Sequence, residues 1–315
     1  MSRSGTGNES ASEGSGAETG GPPFRCANGS RGRADPQVGS APQFRRWLLI
    51  EHRGPWQVDA VAGSQISPPV LSRLLSTAQD EGARPLLIRR PGRSDPAAPR
   101  SWAVAYENGA VRWGTWSEDE ELLAADAAMT GEAPTADGAT EPVLLVCAHG
   151  VHDVCCALRG RPVAAALARE WPEATWECSH VGGDRFAANV VVLPDGVYYG
   201  YLDAETAVAT VRSHLRGEVA VEYLRGMTRA APPAQAAIAA VHQRFGPLGA
   251  RDVVVTQLDH TSPGVWHVTL TVPDPSAGPI TVKVTSRRRD PAKLTCRAPG
   301  ETPAAEYHVA SFGAA

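Results

Sequence analysis

Three cysteines and two histidines fall within the ten residues CAHGVHDVCC, positions 147 to 156. A fourth cysteine, Cys178, and another histidine, His180, open CSHVGGDRFAANVVVLPDG at positions 178 to 196. Thiolate and imidazole are ligands for soft and borderline metals, and a thiolate is also the nucleophile of cysteine enzymes. Cys147 and Cys156 are separated by eight residues, with Cys155 an alternative partner one residue nearer. That spacing is neither the C-x2-4-C knuckle of a zinc finger nor the C-x-x-C of a dithiol oxidoreductase. A wide pair at one strand end suits an object larger than one ion, such as an iron–sulfur cluster. His180 is the best candidate for the other half of the site, with Gly182 and Gly183 letting the backbone fold tightly around it.

Two other chemistries compete for the same residues. Cys155 and Arg161 satisfy C-x5-R, the phosphate loop of cysteine phosphatases and arsenate reductases, where arginine and converging N–H groups hold an oxyanion. CCALRGR supplies only one glycine for such a loop. A non-catalytic zinc-binding module is the third reading, and no carboxylate pair suggests a glycosidase. The bland alternative is that cysteines are small buried apolar groups, which is the expectation for the isolated Cys26 and Cys296. Cys147, Cys155, Cys156 and Cys178 lie within about a tenth of the chain, which argues against it for those four. A disulfide between the adjacent Cys155 and Cys156 would be strained, so one is expected to be a ligand and the other its neighbour.

The elements that must position these residues follow from the pattern of the chain. The 315 residues carry a formal net charge of −4, which disfavours a nucleic-acid binder, and no run reaches the roughly 18 apolar residues of a membrane span. The N-terminus lacks the pattern of a secretory signal, so a cytoplasmic location without membrane partners is expected. Residues 1–40, rich in Gly, Ser, Ala and Glu, are expected to be a disordered tail. An N-terminal α/β unit is expected over 41–130, with a strand at WLLI, a helix at PPVLSRLLSTAQDEG and a hairpin turning at Asn108-Gly109. The segment 141–217 reads as strand, helix, strand, hairpin, helix, which is the order of a thioredoxin-like domain. PVLLVCAH delivers Cys147 at a strand exit, Pro162 suits the first turn of the following helix, and ATWECSHV delivers Cys178 and His180 at the next exit. A C-terminal α+β unit over 225–315 should hold one helix, PAQAAIAAVHQRFG, and strands at DVVVTQLD, VWHVTLTV and ITVKVTS.

In CAHGVHDVCC, the GRP that follows, and SHVGGDRFAANVVVLPDGVYYG, the chain resembles the sucrase/ferredoxin-like family. Weaker likeness extends to RWLLIEHRGPW and FRCA, and forward to LTC near position 296. The resemblance implies an α/β chain with a thioredoxin-like ferredoxin domain and a [2Fe-2S] cluster bound by two cysteines and two histidines. Carried over residue by residue, the cysteines fall on Cys147 and Cys156 and the first histidine of H-x-G-G-H on His180. The second histidine position holds Asp184, which either ligates through oxygen or leaves the fourth place to Cys155, Cys178 or His149. The implied role is electron transfer with a reductase or electron acceptor as partner, rather than a classical enzymatic activity, and nothing supports sucrase chemistry. Two thiolates, one imidazole and one carboxylate would leave an oxidised cluster near a net charge of about −1. Its potential is expected between plant-type ferredoxins and two-histidine centres.

Overall fold

The computed structural model describes residues 23–314 apart from 93–94, 137–140, 275 and 277. Of the expected tail, residues 1–22 lie outside the described residues, while Cys26–Gly32 form a short helix, α1, with Cys26 and Ala27 buried. The apolar run WLLI lies in β1 (Arg46–Glu51), which is buried along nearly its whole length. Helix α2 (Pro68–Asp80) turns its Val70, Leu74 and Ala78 face inward and returns the chain to β2 (Ala83–Arg89), parallel to β1. The Asn108-Gly109 turn joins β3 (Arg100–Tyr106) to β4 (Val111–Trp116), with Gly109 at φ 100°. Helix α3 (Leu123–Thr130) packs against α2.

The cysteine-bearing strands complete the same sheet. They are β5 (Val143–Cys147) and β6 (Thr175–Cys178), parallel to each other, followed by the antiparallel pair β7 (Val190–Leu193) and β8 (Val197–Tyr199). With α4 (Val154–Glu170) and α5 (Ala204–Leu215) they make the expected thioredoxin-like order, β6-β5-β7-β8. A last short strand, β9 (Leu224–Met227), pairs with β8. The full sheet runs β4-β3-β1-β2-β6-β5-β7-β8-β9. Its middle is joined by only two antiparallel pairs between β2 and β6, Ile88 with Cys178 and Arg89 with Glu177.

Helix α4 begins eight residues before Pro162, not at it. Asp153 caps the helix by accepting the Cys155 N–H at 2.9 Å, so the cysteine pair sits in the first helical turn rather than in a loop. Pro162 is an interior proline, which removes one ladder hydrogen bond.

Helix α6 (Pro232–Phe245) is buried on almost every side, between β9 and a second, antiparallel sheet of order β10-β11-β12-β13. That sheet comprises β10 (Val254–Ser262), β11 (Val265–Thr271), β12 (Ile280–Arg288) and β13 (Ala305–Ala314). The three expected strands are present, and β13, which carries no long apolar run, is additional. Alanines along α6 let it approach Val268, Leu270, Val282 and Val284 closely.

His242 of α6 is 3% exposed, and neither ring nitrogen has a hydrogen-bond partner. Burial, reinforced by the nearby Arg229, pushes its pKa down to about 4. An unfolded chain takes up this proton near pH 6.5, so stability should fall as the pH drops from about 6.5 to about 4, by on the order of 3 kcal/mol. His242→Leu should flatten that slope in urea midpoints taken at pH 7 and pH 4.5. An unchanged slope would place the acid-sensitive group elsewhere.

Candidate metal centre

The exits of β5 and β6 and the first turn of α4 converge. Cys147 ends β5, Cys178 ends β6 directly opposite it in register, and Cys156 faces them from α4. Donor atoms of Cys147, Cys156 and His180 all lie within 4.8 Å of one another. Asp184 adjoins the same group, its Oδ1 lying 3.4 Å from Cys156 Sγ and 2.8 Å from His180 Nδ1. The two thiols and Asp184 are buried, and the His180 side chain keeps 20% of its surface.

The charges of these groups depend on one another. A hydrogen bond from the Cys156 thiol draws the Cys147 pKa well below its ordinary value, and His180 assists against the cost of burial. The same bond, with burial, pushes Cys156 up. Burial disfavours a charged His180, yet Asp184 and Cys147 hold its pKa up to about 9. Asp184 is held below the usual carboxylate range, the ion pair with His180 outweighing its burial.

The loop after β6 is held from two sides. Toward β2, Ser179 N–H donates to Leu87 O at 2.8 Å, Leu87 N–H donates to Ser179 Oγ at 3.0 Å, and Arg84 donates to His180 O at 3.0 Å. Toward β9, the buried Arg225 donates to Gly182 O at 2.8 Å and to Asn189 Oδ1 at 2.8 Å. Gly183 has φ 77°, and a Cβ there would stand 2.4 Å from the Arg225 guanidinium, so only glycine fits. His152 stacks on His180 with ring centroids 3.8 Å apart, and its Nε2 lies 4.0 Å from Asp184. Both histidines border a groove of about 460 Å³, which His149, Arg84 and Val58 also line.

Cys147, Cys156 and His180 are thus brought together, and Asp184 touches Cys156 and His180 but shares its own donor group with His180 and His152. The alternates are placed differently. Cys178 is fully buried beside Cys147, outside the donor group, and burial raises its pKa. His149 Nε2 is 2.7 Å from Gln57 O. Cys155 points away from Cys156 and joins Cys26, Cys296 and Asp153 in a second group whose donor atoms lie within 4.8 Å of one another. Cys26 is buried, as expected of a small apolar group, but its thiol and that of the partly exposed Cys296 face Cys155 and Asp153. Within this second group hydrogen bonds from Cys26, aided by Cys296 and opposed by burial, draw Cys155 down to about 6, while burial pushes Cys296 up to about 11. The C-x5-R reading fails on geometry: both residues lie within α4, Cys155 is buried and Arg161 is exposed, with no loop between them to cradle an oxyanion. His152 went unassigned because nothing in its spacing shows that it stacks on His180. Cys26 and Cys296 read as small buried apolar groups because 270 positions separate them, and Asp153 lacks any signal beyond its place two residues before Cys155.

The sequence model of the family described as sucrase/ferredoxin-like matches residues 37–226, more than half of the chain. The chain belongs to the sucrase/ferredoxin-like family. No curated protein and no solved structure matches it. The sucrase/ferredoxin-like match takes in Cys147, Cys156, His180 and Asp184 but neither Cys26 nor Cys296.

Gly160 fixes how near α4 lies to the centre, because a Cβ there would stand 2.0 Å from the carbonyl oxygen of Cys147. Gly160→Ala should therefore push Cys156 away from Cys147. The expected result is a loss of about 1–3 kcal/mol in urea unfolding together with reduced metal per chain. Gly32→Ala, whose Cβ meets nothing within 4 Å, serves as the control and should change neither reading.

Proposed function

We propose that this chain is an electron-transfer protein whose [2Fe-2S] cluster is held by Cys147, Cys156, His180 and Asp184. The observation that carries this reading is the division of the donors: two thiols are buried, while the His180 side chain keeps 20% of its surface and lines the groove of about 460 Å³. Two thiols, an imidazole and a carboxylate gathered at the exits of β5 and β6 and the first turn of α4 fit the donor chemistry of a mixed-ligand iron–sulfur site. When bound, such a group takes up and releases single electrons.

The chain's own residues hold and insulate the site. Cys147 and Cys156 supply negative charge inside an apolar shell that includes Val181 and Tyr198. Arg225, 1% exposed, places a fixed positive charge behind the glycine loop. Asp184 keeps one negative charge where a second imidazole would carry none. His152 covers His180 from the groove side.

A single zinc ion is the competing reading, and the compactness of the three donors favours it, since all lie within 4.8 Å as around one tetrahedral ion. Anaerobic purification with iron, zinc and acid-labile sulfide analysis separates the two. A red-brown chain with matched iron and sulfide that depends on Cys147 and Cys156, and a rhombic EPR signal after dithionite, is the expected outcome. A colourless chain made with cluster assembly intact, holding zinc that Cys147→Ser removes, would sink the electron-transfer proposal.

The midpoint potential offers a second check. With one imidazole ligand it should lie between about −400 mV, the plant-type value, and about −150 mV, where two-histidine centres begin. Asp184→His removes a negative charge and should raise it by on the order of 100 mV. A potential that does not move on that substitution would exclude Asp184 from the cluster's ligands.

A further inference from the structure

The structure assigns a second metal site to this chain: a tetrahedral zinc(II) centre formed by Cys26, Cys155, Cys296 and Asp153, separate from the iron–sulfur site and independent of that reading. Three thiols and one carboxylate from three distant segments place their donor atoms within 4.8 Å of one another. Cys26 comes from α1, Asp153 and Cys155 from the start of α4, and Cys296 from the segment between β12 and β13.

The spacing is that of ligands around one ion. Cys155 Sγ and Cys296 Sγ are 3.5 Å apart, against roughly 3.8 Å for two sulfurs each about 2.3 Å from a tetrahedral zinc. Cys26 Sγ lies 3.5 Å from Asp153 Oδ2. Backbone N–H groups are already turned toward the donors. Cys26 N–H donates to Cys296 Sγ at 3.3 Å, Cys155 N–H to Asp153 Oδ1 at 2.9 Å, and Cys296 N–H to Asp153 Oδ2 at 2.6 Å. Such outer hydrogen bonds orient ligands and stabilise their negative charge.

Asp153 provides a second, independent argument for a cation. It is 1% exposed, its partners are two backbone N–H groups and a thiol, and among the described residues no cationic side chain pairs with it. A carboxylate out of water without a counter-charge is costly, and here its remaining neighbours are groups that become anionic in their ligand form. Zinc supplies the missing charge, with the thiol protons released to solvent as it binds. No electron transfer is involved. Cys296 is the one partly exposed donor, which gives the ion a way in.

Bound there, zinc would staple α1 and the segment at Cys296 onto the first turn of α4, the turn that also carries Cys156. The adjacent cysteines are thereby divided between two centres.

The test uses the full chain, purified anaerobically from cells grown with iron and zinc. About one zinc per chain is expected in the wild type, and the same in Cys147→Ser/Cys156→Ser. Cys26→Ser/Cys296→Ser should lose zinc at least about fivefold while keeping its iron and visible spectrum. Cobalt(II) added to zinc-depleted Cys147→Ser/Cys156→Ser should give thiolate charge-transfer bands and the visible bands of a tetrahedral ion, which decides the matter if the Cys26/Cys296 variant does not fold. The proposal is overturned by a wild-type chain without zinc, by zinc that leaves with Cys147 and Cys156 instead, or by mass spectra showing a Cys155–Cys296 disulfide. A zinc-free chain that still holds iron and sulfide would refute this site and leave the electron-transfer reading standing. An iron-free chain whose zinc survives Cys147→Ser/Cys156→Ser would do the reverse.

Discussion

A guanidinium taken out of water is costly unless its donors and its charge are both satisfied, and Arg225 meets that demand with four hydrogen bonds to three residues. From β9 it reaches Ser40 through both the hydroxyl and the carbonyl, Gly182 through its carbonyl, and Asn189 through its side-chain oxygen. All of these acceptors are neutral. The compensating negative charge comes from Asp184 and Cys147, and burial still lowers the guanidinium pKa to about 10. The strand at the far edge of the thioredoxin-like core, the stretch before β1 and the loop that carries the candidate ligands are therefore locked by one side chain. Any rearrangement of that loop must find new partners for a buried cation.

Viewed this way, the N-terminal unit is part of the site's support. His180 follows a strand that pairs with β2 over only two residues. Ser179 lengthens that junction by exchanging two hydrogen bonds with Leu87, one through its backbone and one through its hydroxyl. Arg84, also on β2, holds the His180 carbonyl. The imidazole is thus aimed by residues on a strand distant in sequence, while the thiols are aimed by α4 and β5. The groove at the histidines is built from residues of both parts, among them Val58 and Arg84 from the N-terminal unit and His149, His152 and His180 from the other.

Much of this was legible because its signals are local. Apolar runs marked β1 and β5, Asn108-Gly109 and Pro194-Asp195-Gly196 marked hairpins, and the alanine-rich α6 with three alternating strands marked the C-terminal part. The convergence of Cys147 and His180 followed from their places at two neighbouring strand exits, whereas Cys156 arrives on the first turn of α4. The start of α4 was misplaced because Pro162 is a strong helix-start signal and the cap, Asp153, stands inside a run whose cysteines and histidines compete for attention. Cys155 and Cys296 are 141 positions apart and Cys26 and Cys296 are 270 apart. No periodicity reports a contact at such range; only the closed fold does.

The first turn of α4 has a consequence for how the chain can vary. Cys155 and Cys156 stand about 100° apart around the helix axis, one toward Cys26 and Cys296, the other toward Cys147 and His180. Inserting a single residue between Cys155 and Cys156 would change the angle between the two thiols by about another 100°, so they could no longer both face their own sets. A loop of the same composition would absorb such a change. The four residues from Asp153 to Cys156 act as a ruler whose length is fixed by helical pitch.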